Sequence, residues 1–326
     1  MPSSLSRFTR PANRTGAGLP GRRQRASRAS FQRRCNVPAI GAALALYCIS
    51  LLASCSHADP KMPVNLQAAS LQRPEEKSLL VQIESVGEAG KAGWIDANIL
   101  KPLYDDVQAA RFAAEAVDVV EGQFPERPDL FRAVKDCATV LGMPAPKVYV
   151  TGRMDRAAIV VGLAEPKIII SSRVLRLAKS DAELRFIIGR QMGHVRSGHV
   201  RWLVVVRGVT DLASRMVALP DLIALSPFVP FLRWAREAEM TADAWGLVCA
   251  QDLAAAEQAM VGSELDFADR VDVDLFLLQR QNQDLSQFAE IVSLANQITR
   301  REPFLAERIR QLRTFAQSPQ YRDLWR

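Results

Sequence analysis

The sequence predicts an α+β domain that is mostly helical, with a small β-sheet placed before a central helix. Apolar residues recur at helical spacing over several segments after residue 98. Three short β-branched runs lie within 147–171. Shortly after them, Ser180 and Glu183 form a Ser-x-x-Glu capping box, which predicts that a helix begins near Asp181.

Composition narrows the classes of function. The chain has 326 residues and is 48% hydrophobic, which is enough for a buried core in one large domain or two. Its net charge is +7, but residues 1–58 contain nine Arg and no Asp, Glu or Lys, so that removing those nine charges leaves −2. The rest of the chain, residues 59–326, which we call the body, is therefore nearly neutral, and this argues against a nucleic-acid partner.

The N-terminal segment has the pattern of a targeting sequence. A basic region precedes an uncharged, mostly apolar stretch, Val37–Ala53, as in signal peptides and short membrane anchors. The stretch ends in Leu-Ala-Ser-Cys at Leu52–Cys55, which resembles the lipobox of bacterial lipoproteins. We predict a lipoprotein-type signal peptide over 1–54, a lipidated Cys55, and an exported protein anchored to the membrane of the cell envelope. An N-terminal transmembrane anchor and an organellar transit peptide are the alternatives.

Residues 55–93 are polar and interrupted by Pro and Gly, which predicts a tether with a short strand at Ser78–Ile83. The domain is expected over 94–326. The longest uncharged run within Val200–Leu232 has 11 residues, which is too short to cross a membrane. We therefore predict that this segment forms two amphipathic helices that lie over the functional site. Further helices are predicted at Ile99–Val120, Leu130–Leu141, Arg233–Cys249, Asp266–Gln279, Leu285–Gln297 and Pro303–Ala316, the last with a solvated start that includes Arg308.

Strands are predicted at Lys147–Val150, Ala157–Val161 and Lys167–Ser171, the last two as a hairpin-like pair. Two cysteines, Cys137 and Cys249, lie in the body. In an exported protein they would be able to pair, and two buried free thiols are the other interpretation. Neither cysteine lies in a Cys-x-x-Cys motif, so a cysteine-based metal site is not supported.

The helix near Asp181 carries the main functional signal. Residues 183–199 read ELRFIIGRQMGHVRSGH. This resembles the E-L-x-F-V-I-G-H-E-L-G-H-I-x-x-G-H run of the HtpX-like zinc metallopeptidases (peptidase family M48), which include the CAAX prenyl proteases. Glu239–Gly246 matches that family's later E-x-x-A-D-x-x-G segment. The resemblance implies a zincin-like (gluzincin) domain, in which an edge strand, here Ala157–Gly162, holds a bound peptide in extended form.

In that family, two histidines of a His-Glu-x-x-His motif bind zinc from one helix face, and the Glu activates the metal-bound water. Here Arg190 replaces the first ligand, and Gln191 occupies the general-base position. His194 and Glu239 match metal ligands, which leaves the candidate set one ligand short. Asp243 matches the carboxylate that orients a ligand histidine.

The replaced residues lead to three predictions. Arg190 stays protonated, so an Arg190–Glu239 bridge is expected to fill the position of the zinc. Gln191 cannot act as a base near neutral pH. His199 lies about 140° around the helix from His194, which predicts that it caps or ends the helix and does not face the same ion.

Two classes of function stay open. One is a membrane-tethered, non-catalytic pseudoprotease of the zinc metalloendopeptidase family that binds a peptide or a protein in the cleft where the family binds its substrates. The other is an active zinc-dependent metalloendopeptidase with a divergent ligand set, acting in protein quality control. A structural envelope lipoprotein without peptide binding is a third interpretation. Zinc is the cofactor that the resemblance implies, and the incomplete ligand set leaves its binding open.

Overall fold

The computed structural model describes residues 59–66, 70–89, 117–118, 128–152, 154, 156–162, 165–203, 206, 229–265, 269–281 and 304–326. These residues belong to one compact unit, His57–Arg326. Several predicted features lie outside them, namely the signal peptide 1–54, Cys55, the helix Leu285–Gln297, and most of the segments Ile99–Val120 and Val200–Leu232.

The described elements follow the predicted fold class, an α+β and mostly helical arrangement with a small sheet ahead of the central helix. The helices are α1 Pro74–Ala89, α2 Pro128–Val140, α3 Ser172–Leu177, α4 Asp181–Arg196, α5 Val229–Ala250, α6 Leu253–Leu265, α7 Val273–Gln281, α8 Leu305–Gln317 and α9 Pro319–Asp323. The strands are β1 Val117–Asp118, β2 Lys147–Thr151, β3 Ala158–Val161 and β4 Lys167–Ser171. The central helix α4 begins at Asp181, as predicted.

The sheet has the strand order β1-β2-β4-β3. Strands β2 and β4 are parallel, and β3 pairs antiparallel with β4, which confirms the predicted hairpin-like pair. The two-residue strand β1 pairs with β2 through Val117 and Val150. The predicted helix Ile99–Val120 is therefore wrong at its C-terminal end, where the β-branched residues of 117–120 favour a strand.

The segment assigned to a tether contains a packed helix, α1. The predicted strand Ser78–Ile83 is wrong because those residues form the middle of this helix. Pro74 is its first residue, where a missing N–H costs nothing, and acidic side chains in the first turn complement the helix dipole. Leu79 and Ile83 are buried against residues of α5. The described part of 55–93 is thus part of the folded domain.

The C-terminal helices differ from prediction mainly in their starts. Helix α6 was not predicted, although Asp252 caps it by accepting a hydrogen bond from the Ala255 N–H at 3.0 Å. Helix α7 begins at Val273 instead of Asp266, because Asp272 caps it in the same way. Helix α8 confirms the predicted helix Pro303–Ala316 to within two residues at each end.

Cys137 and Cys249 are buried free thiols. The Cys137 thiol donates to the Arg185 carbonyl, with 3.4 Å between sulfur and oxygen. Burial, together with the neighbouring Cys249, raises the pKa of Cys137 well above its usual value. No helix among the described residues is long and apolar enough to cross a membrane.

Candidate functional site

The start of α4 fixes the register of the site residues. Ser180 accepts a hydrogen bond from the Glu183 N–H at 3.2 Å, which confirms the predicted N-cap. The Glu183 carboxylate in turn accepts from the Lys179 N–H at 2.8 Å, one residue earlier than a standard capping box. With its first turn held in this way, α4 directs Arg190 and His194 toward α5.

Two glycines of α4 allow α5 to approach closely. A Cβ atom added at Gly193 would lie 2.6 Å from the Trp245 Cβ atom. At Gly189 it would lie 2.5 Å from the Cys249 Cβ atom. Both distances are too short for real carbon atoms, so a side chain at either position would force the helices apart. This close packing lets side chains of α4 reach Glu239 on α5 directly.

The Arg190 guanidinium lies between two carboxylates of α5. Its Nη2 atom forms an ion pair with Glu239 Oε2, and its Nε atom lies 2.9 Å from Asp243 Oδ1. Glu239 and Asp243 are buried. Burial alone raises the pKa of Glu239, but the charges of Arg190 and His194 outweigh it and hold that pKa well below its ordinary value. The predicted Arg190–Glu239 bridge is confirmed.

A second buried arginine completes this group of charges. Arg308 donates from Nε and Nη2 to the two Asp243 oxygens, both at 2.8 Å, and from Nη1 to Glu264 at 2.9 Å. The expectation that Arg308 is solvated is wrong, because its side chain is only 2% exposed. Asp243 thus pairs with two arginines, where the resemblance implied that it orients a histidine. We call these five residues, Arg190, Glu239, Asp243, Arg308 and Glu264, the arginine cluster.

A second polar group lies beside the arginine cluster. The Nδ1 atoms of His194 and His199 are 3.0 Å apart, and His199 Nε2 lies 2.9 Å from Glu76 Oε1. The Thr241 hydroxyl donates to Glu76 Oε2 at 2.5 Å. Glu76 is fully buried, and burial raises its pKa, but the hydrogen bond and charge of His199 bring the pKa below its ordinary value. We call His194, His199, Glu76 and Thr241 the histidine cluster.

The backbone of His199 caps the helix, as predicted, but its side chain lies against His194. Helix α4 ends at Arg196 and the chain then turns at Gly198, whose φ is +71°. This left-handed conformation suits glycine, and it brings His199 back against His194. The His199 N–H donates to the His194 carbonyl at 2.9 Å. The angle between the two residues on an ideal helix therefore does not apply here.

Sequence reasoning missed Glu76 and Arg308. The signal for Glu76 was present, because Pro74 followed by two acidic residues is typical of a helix start. Reading Pro74 as a break in a tether hid that signal. For Arg308 no local pattern was available, since an arginine in an amphipathic helix is usually solvated. Its burial depends on Asp243, which lies 65 residues earlier in the chain.

The residues around Glu239 do not fit a metal ion. A guanidinium has no electron pair to offer a metal and keeps its proton, so Arg190 cannot serve as a ligand. It also occupies the carboxylates that would be needed, while His194 Nε2 lies 3.5 Å from Glu239 Oε2. In the part of the chain that the structure describes, no three His, Cys, Asp or Glu side chains are grouped to hold a metal.

A cleft lies between β3 and α4. Its cavity of about 240 Å³ is lined by Ala158–Val160, by the α4 residues Arg190, Gln191 and His194, and by Glu239. Strand β3 is the outer strand of the described sheet on this side. Gln191 is 3% exposed and is one of the residues that line this cavity. The site therefore combines the ion pairs of Arg190 with the outer strand β3 of the described sheet.

Comparisons with known proteins agree with this geometry. The model of Peptidase family M48 matches residues 125–316, and the chain belongs to this family of metallopeptidases. The fold is accordingly that of a zincin-like domain. The chain is also similar to the plastoglobule-localized metallopeptidase 48, chloroplastic, of Arabidopsis thaliana. The two are 25% identical over 280 residues, which is 83% of this chain and 79% of that protein. No solved structure matches the chain.

Proposed function

We propose that this protein is a non-catalytic member of peptidase family M48 that binds an extended peptide or protein segment in the cleft between β3 and α4. The observation that carries the proposal is the position of Arg190 between Glu239 and Asp243. A protonated guanidinium there fulfils the electrostatic role of a cation, since it neutralises buried carboxylates. It does not supply the Lewis acidity that peptide hydrolysis by this family requires.

The second replaced residue supports the same proposal. Gln191 stands where the family has its general base, and an amide does not accept a proton near neutral pH. General acid–base catalysis contributes a factor of about 10² to 10⁴ to such reactions. His194 does not replace the base, because its buried ring is hydrogen-bonded to His199 and contacts Glu239. Burial also lowers the pKa of His194, which makes its ring a weaker base.

Peptide binding, in contrast, needs features that are still present. An edge strand pairs with an added strand through main-chain hydrogen bonds, which do not depend on a metal. Residues Ala158–Val160 of β3 line the cavity together with Gln191. The Gln191 amide is able to donate to or accept from a peptide group, which is a binding role that the family's glutamate would fill less well.

The proposal is tested by measuring cleavage and binding on the same samples of purified full chain. We expect no cleavage of an unfolded protein such as casein, with or without added Zn²⁺, and saturable binding of extended peptides by fluorescence anisotropy. A matched variant, Arg190→His with Gln191→Glu, restores the family motif and is the control for cleavage. Metal-dependent cleavage by the unchanged protein that is lost in His194→Ala would overturn the proposal in favour of an active peptidase.

We further propose that the protein is exported and attached to a membrane through a lipid on Cys55. The pattern at Leu52–Cys55 supports this, and a single-residue lipid anchor with several acyl chains gives stable attachment. The chloroplastic relative instead favours an organellar transit peptide, which the Arg-rich segment also fits. Mass spectrometry of the mature N-terminus separates the two, because only the first predicts a lipid-modified Cys55 as the first residue.

A further inference from the structure

The body begins with a segment that is held by backbone hydrogen bonds. The Lys61 N–H donates to the Gln251 side chain at 2.8 Å, and the Gln251 amide donates back to the Lys61 carbonyl at 2.7 Å. Three residues later, the Val64 N–H donates to the Leu324 carbonyl at 2.8 Å. The segment is therefore attached both to the residue that follows α5 and to the C-terminal end of the chain.

This segment presents apolar side chains to solvent. Met62 is 53% exposed and Val64 is 69% exposed, whereas Pro63 between them is buried. Because backbone groups form the bonds that hold the segment, these bonds do not require an apolar side chain at either exposed position. Trp325, next in sequence to the carbonyl that Val64 contacts, is partly exposed and packs against the Tyr321 ring with 5.8 Å between ring centroids. We call Met62, Val64 and Trp325 the terminal face, since they lie near both ends of the body.

The terminal face is close in sequence to the proposed lipid. Cys55 is seven residues before Met62. An extended chain spans at most about 3.6 Å per residue, so a lipid on Cys55 would keep Met62 within about 25 Å of the bilayer. The exposed Val81 lies elsewhere, because its helix α1 packs against α5 around Trp234. Trp234 is about 24 Å along α5 from Ala250, the end of that helix nearest the terminal face.

We propose that the terminal face lies on the surface of the phospholipid bilayer to which the chain is attached, with its apolar side chains among the headgroups. This rests on the proposed lipid on Cys55 and names the surface by which the body meets the membrane. Since the lipid already holds the body near the bilayer, weak apolar contacts are enough to orient it. Tryptophan is also enriched at the boundary between lipid and water. An anionic lipid is not required, because Arg326 beside this face is itself paired with Asp323 at 3.9 Å.

The experiment uses the full chain, purified from the membranes of the cells that produce it and reconstituted in phosphatidylcholine vesicles that contain nitroxide-headgroup lipid. A fluorescent thiol label is attached at Val64→Cys or at the matched control Val81→Cys, a valine of similar exposure. We expect the nitroxide to quench the label at position 64 about twofold, since side chains at such a surface lie about 5–10 Å into the headgroup boundary. The label at position 81 should keep its fluorescence. The unchanged protein should take up almost no label, because Cys137 and Cys249 are buried and Cys55 carries the lipid.

A second set of variants tests whether the apolar side chains hold the body in this orientation. A label at Arg326→Cys reports on the C-terminal side of the face and should also be quenched. Met62→Ser with Val64→Ser in the same chain should reduce that quenching, whereas Val81→Ser should leave it unchanged. All three replaced side chains are exposed, so an unchanged melting temperature is expected and shows that the variants are folded.

The outcomes separate the two proposals. If the chain does not float with the vesicles and takes up label at Cys55, the lipid attachment is overturned and the terminal face with it. If the chain floats but the label at position 64 is quenched no more than the label at position 81, the terminal face is overturned and the lipid attachment stands. Quenching at Arg326→Cys that persists in Met62→Ser with Val64→Ser also overturns the inference, because other contacts would then orient the body.

Discussion

Two polar clusters lie side by side around α4 and α5, and they differ in the side chains that hold them together. In the arginine cluster, Arg190 stands where the family has a metal ligand and pairs with Glu239, while Arg308 pairs with the neighbouring Asp243. The histidine cluster instead retains the family's His194 and His199 and joins them to Glu76 of α1. His194 connects the two clusters, because it contacts both His199 and Glu239. The same two helices therefore contribute to one group held by arginines and to another held by histidines.

This difference has a physical basis. Buried carboxylates such as Glu239 and Asp243 need a counter-charge, which a metal ion or a cationic side chain is able to supply. Arg190 and Arg308 supply that counter-charge from the protein itself. The histidine cluster needs no such replacement, because its hydrogen bonds are made within the chain. Single substitutions in either cluster should therefore separate the contributions of the two clusters to stability.

The largest effect is expected for Arg190→Ala. Removing one partner of a buried ion pair leaves Glu239 charged and unpaired, and this typically costs about 3–5 kcal/mol of unfolding free energy. The measurement is chemical denaturation of the variant beside Arg176→Ala, an exposed control on α3 that should change stability by less than about 0.5 kcal/mol. The double variant Arg190→Leu with Glu239→Leu should recover most of the loss. If Arg190→Ala unfolds at the same denaturant concentration as the unchanged protein, the bridge does not stabilise the site.

A smaller loss, about 2–3 kcal/mol, is expected for Glu76→Ala, because His199 and Thr241 lose a buried acceptor. The neighbouring change Glu75→Ala is the matched control, since Glu75 is exposed on the same helix turn. Hydrogen exchange should show faster exchange in α1 for Glu76→Ala only. Equal stability of the two variants would mean that α1 is held by its apolar face and not by the histidine cluster.

Gly193→Ala should destabilise the protein by about 1–3 kcal/mol, the usual effect of overpacking, because the added Cβ atom meets Trp245 at 2.6 Å. The substituted position is next to His194 in α4. Gly152→Ala is the control, because its nearest neighbour would be 3.8 Å away. A thermal melt of each variant provides the comparison. A tolerated Gly193→Ala would contradict the close contact between α4 and α5.

The smallest effect concerns pH. The pKa of Glu239 is lowered on folding, so the unfolded chain binds a proton at a higher pH than the folded one. Its contribution to stability is therefore present above its ordinary pKa of 4.5 and is lost as the pH falls through the lower folded value. Denaturation at a series of pH values should show this loss, and the variant Arg190→Leu with Glu239→Leu should show a shallower one. A stability that rises on acidification below 4.5 would contradict the ion pairing.

The sequence was sufficient for the parts of the site that depend on local patterns. The capping box placed the start of α4, and the spacing from Arg190 to Glu239 in the family pattern predicted their bridge. The β-branched runs and the glycine and proline between them gave the hairpin-like pair of β3 and β4. The helix start and the strand pair each depend on one short segment, whereas the bridge joins residues 49 positions apart and was predicted from the family pattern.

The parts that failed depend on contacts between distant segments. Whether Glu76 is solvated or buried is decided by His199, which lies 123 residues later in the chain. Arg308 is likewise buried because α8 packs against α5, which its own amphipathic pattern does not reveal. The side chain of His199 was misplaced for a local reason, because a turn at Gly198 follows the helix and an angle on an ideal helix did not apply.

The most direct test of this account is the zinc content of the purified full chain, prepared without chelator and analysed by mass spectrometry before and after incubation with Zn²⁺. We expect almost no zinc in either sample, because Arg190 holds the carboxylates that a metal would need. The variant Arg190→His with Gln191→Glu is expected to bind zinc and shows that the assay detects it. One zinc for each unchanged chain, lost in His194→Ala and in Glu239→Ala, would contradict the replacement of the metal by an arginine.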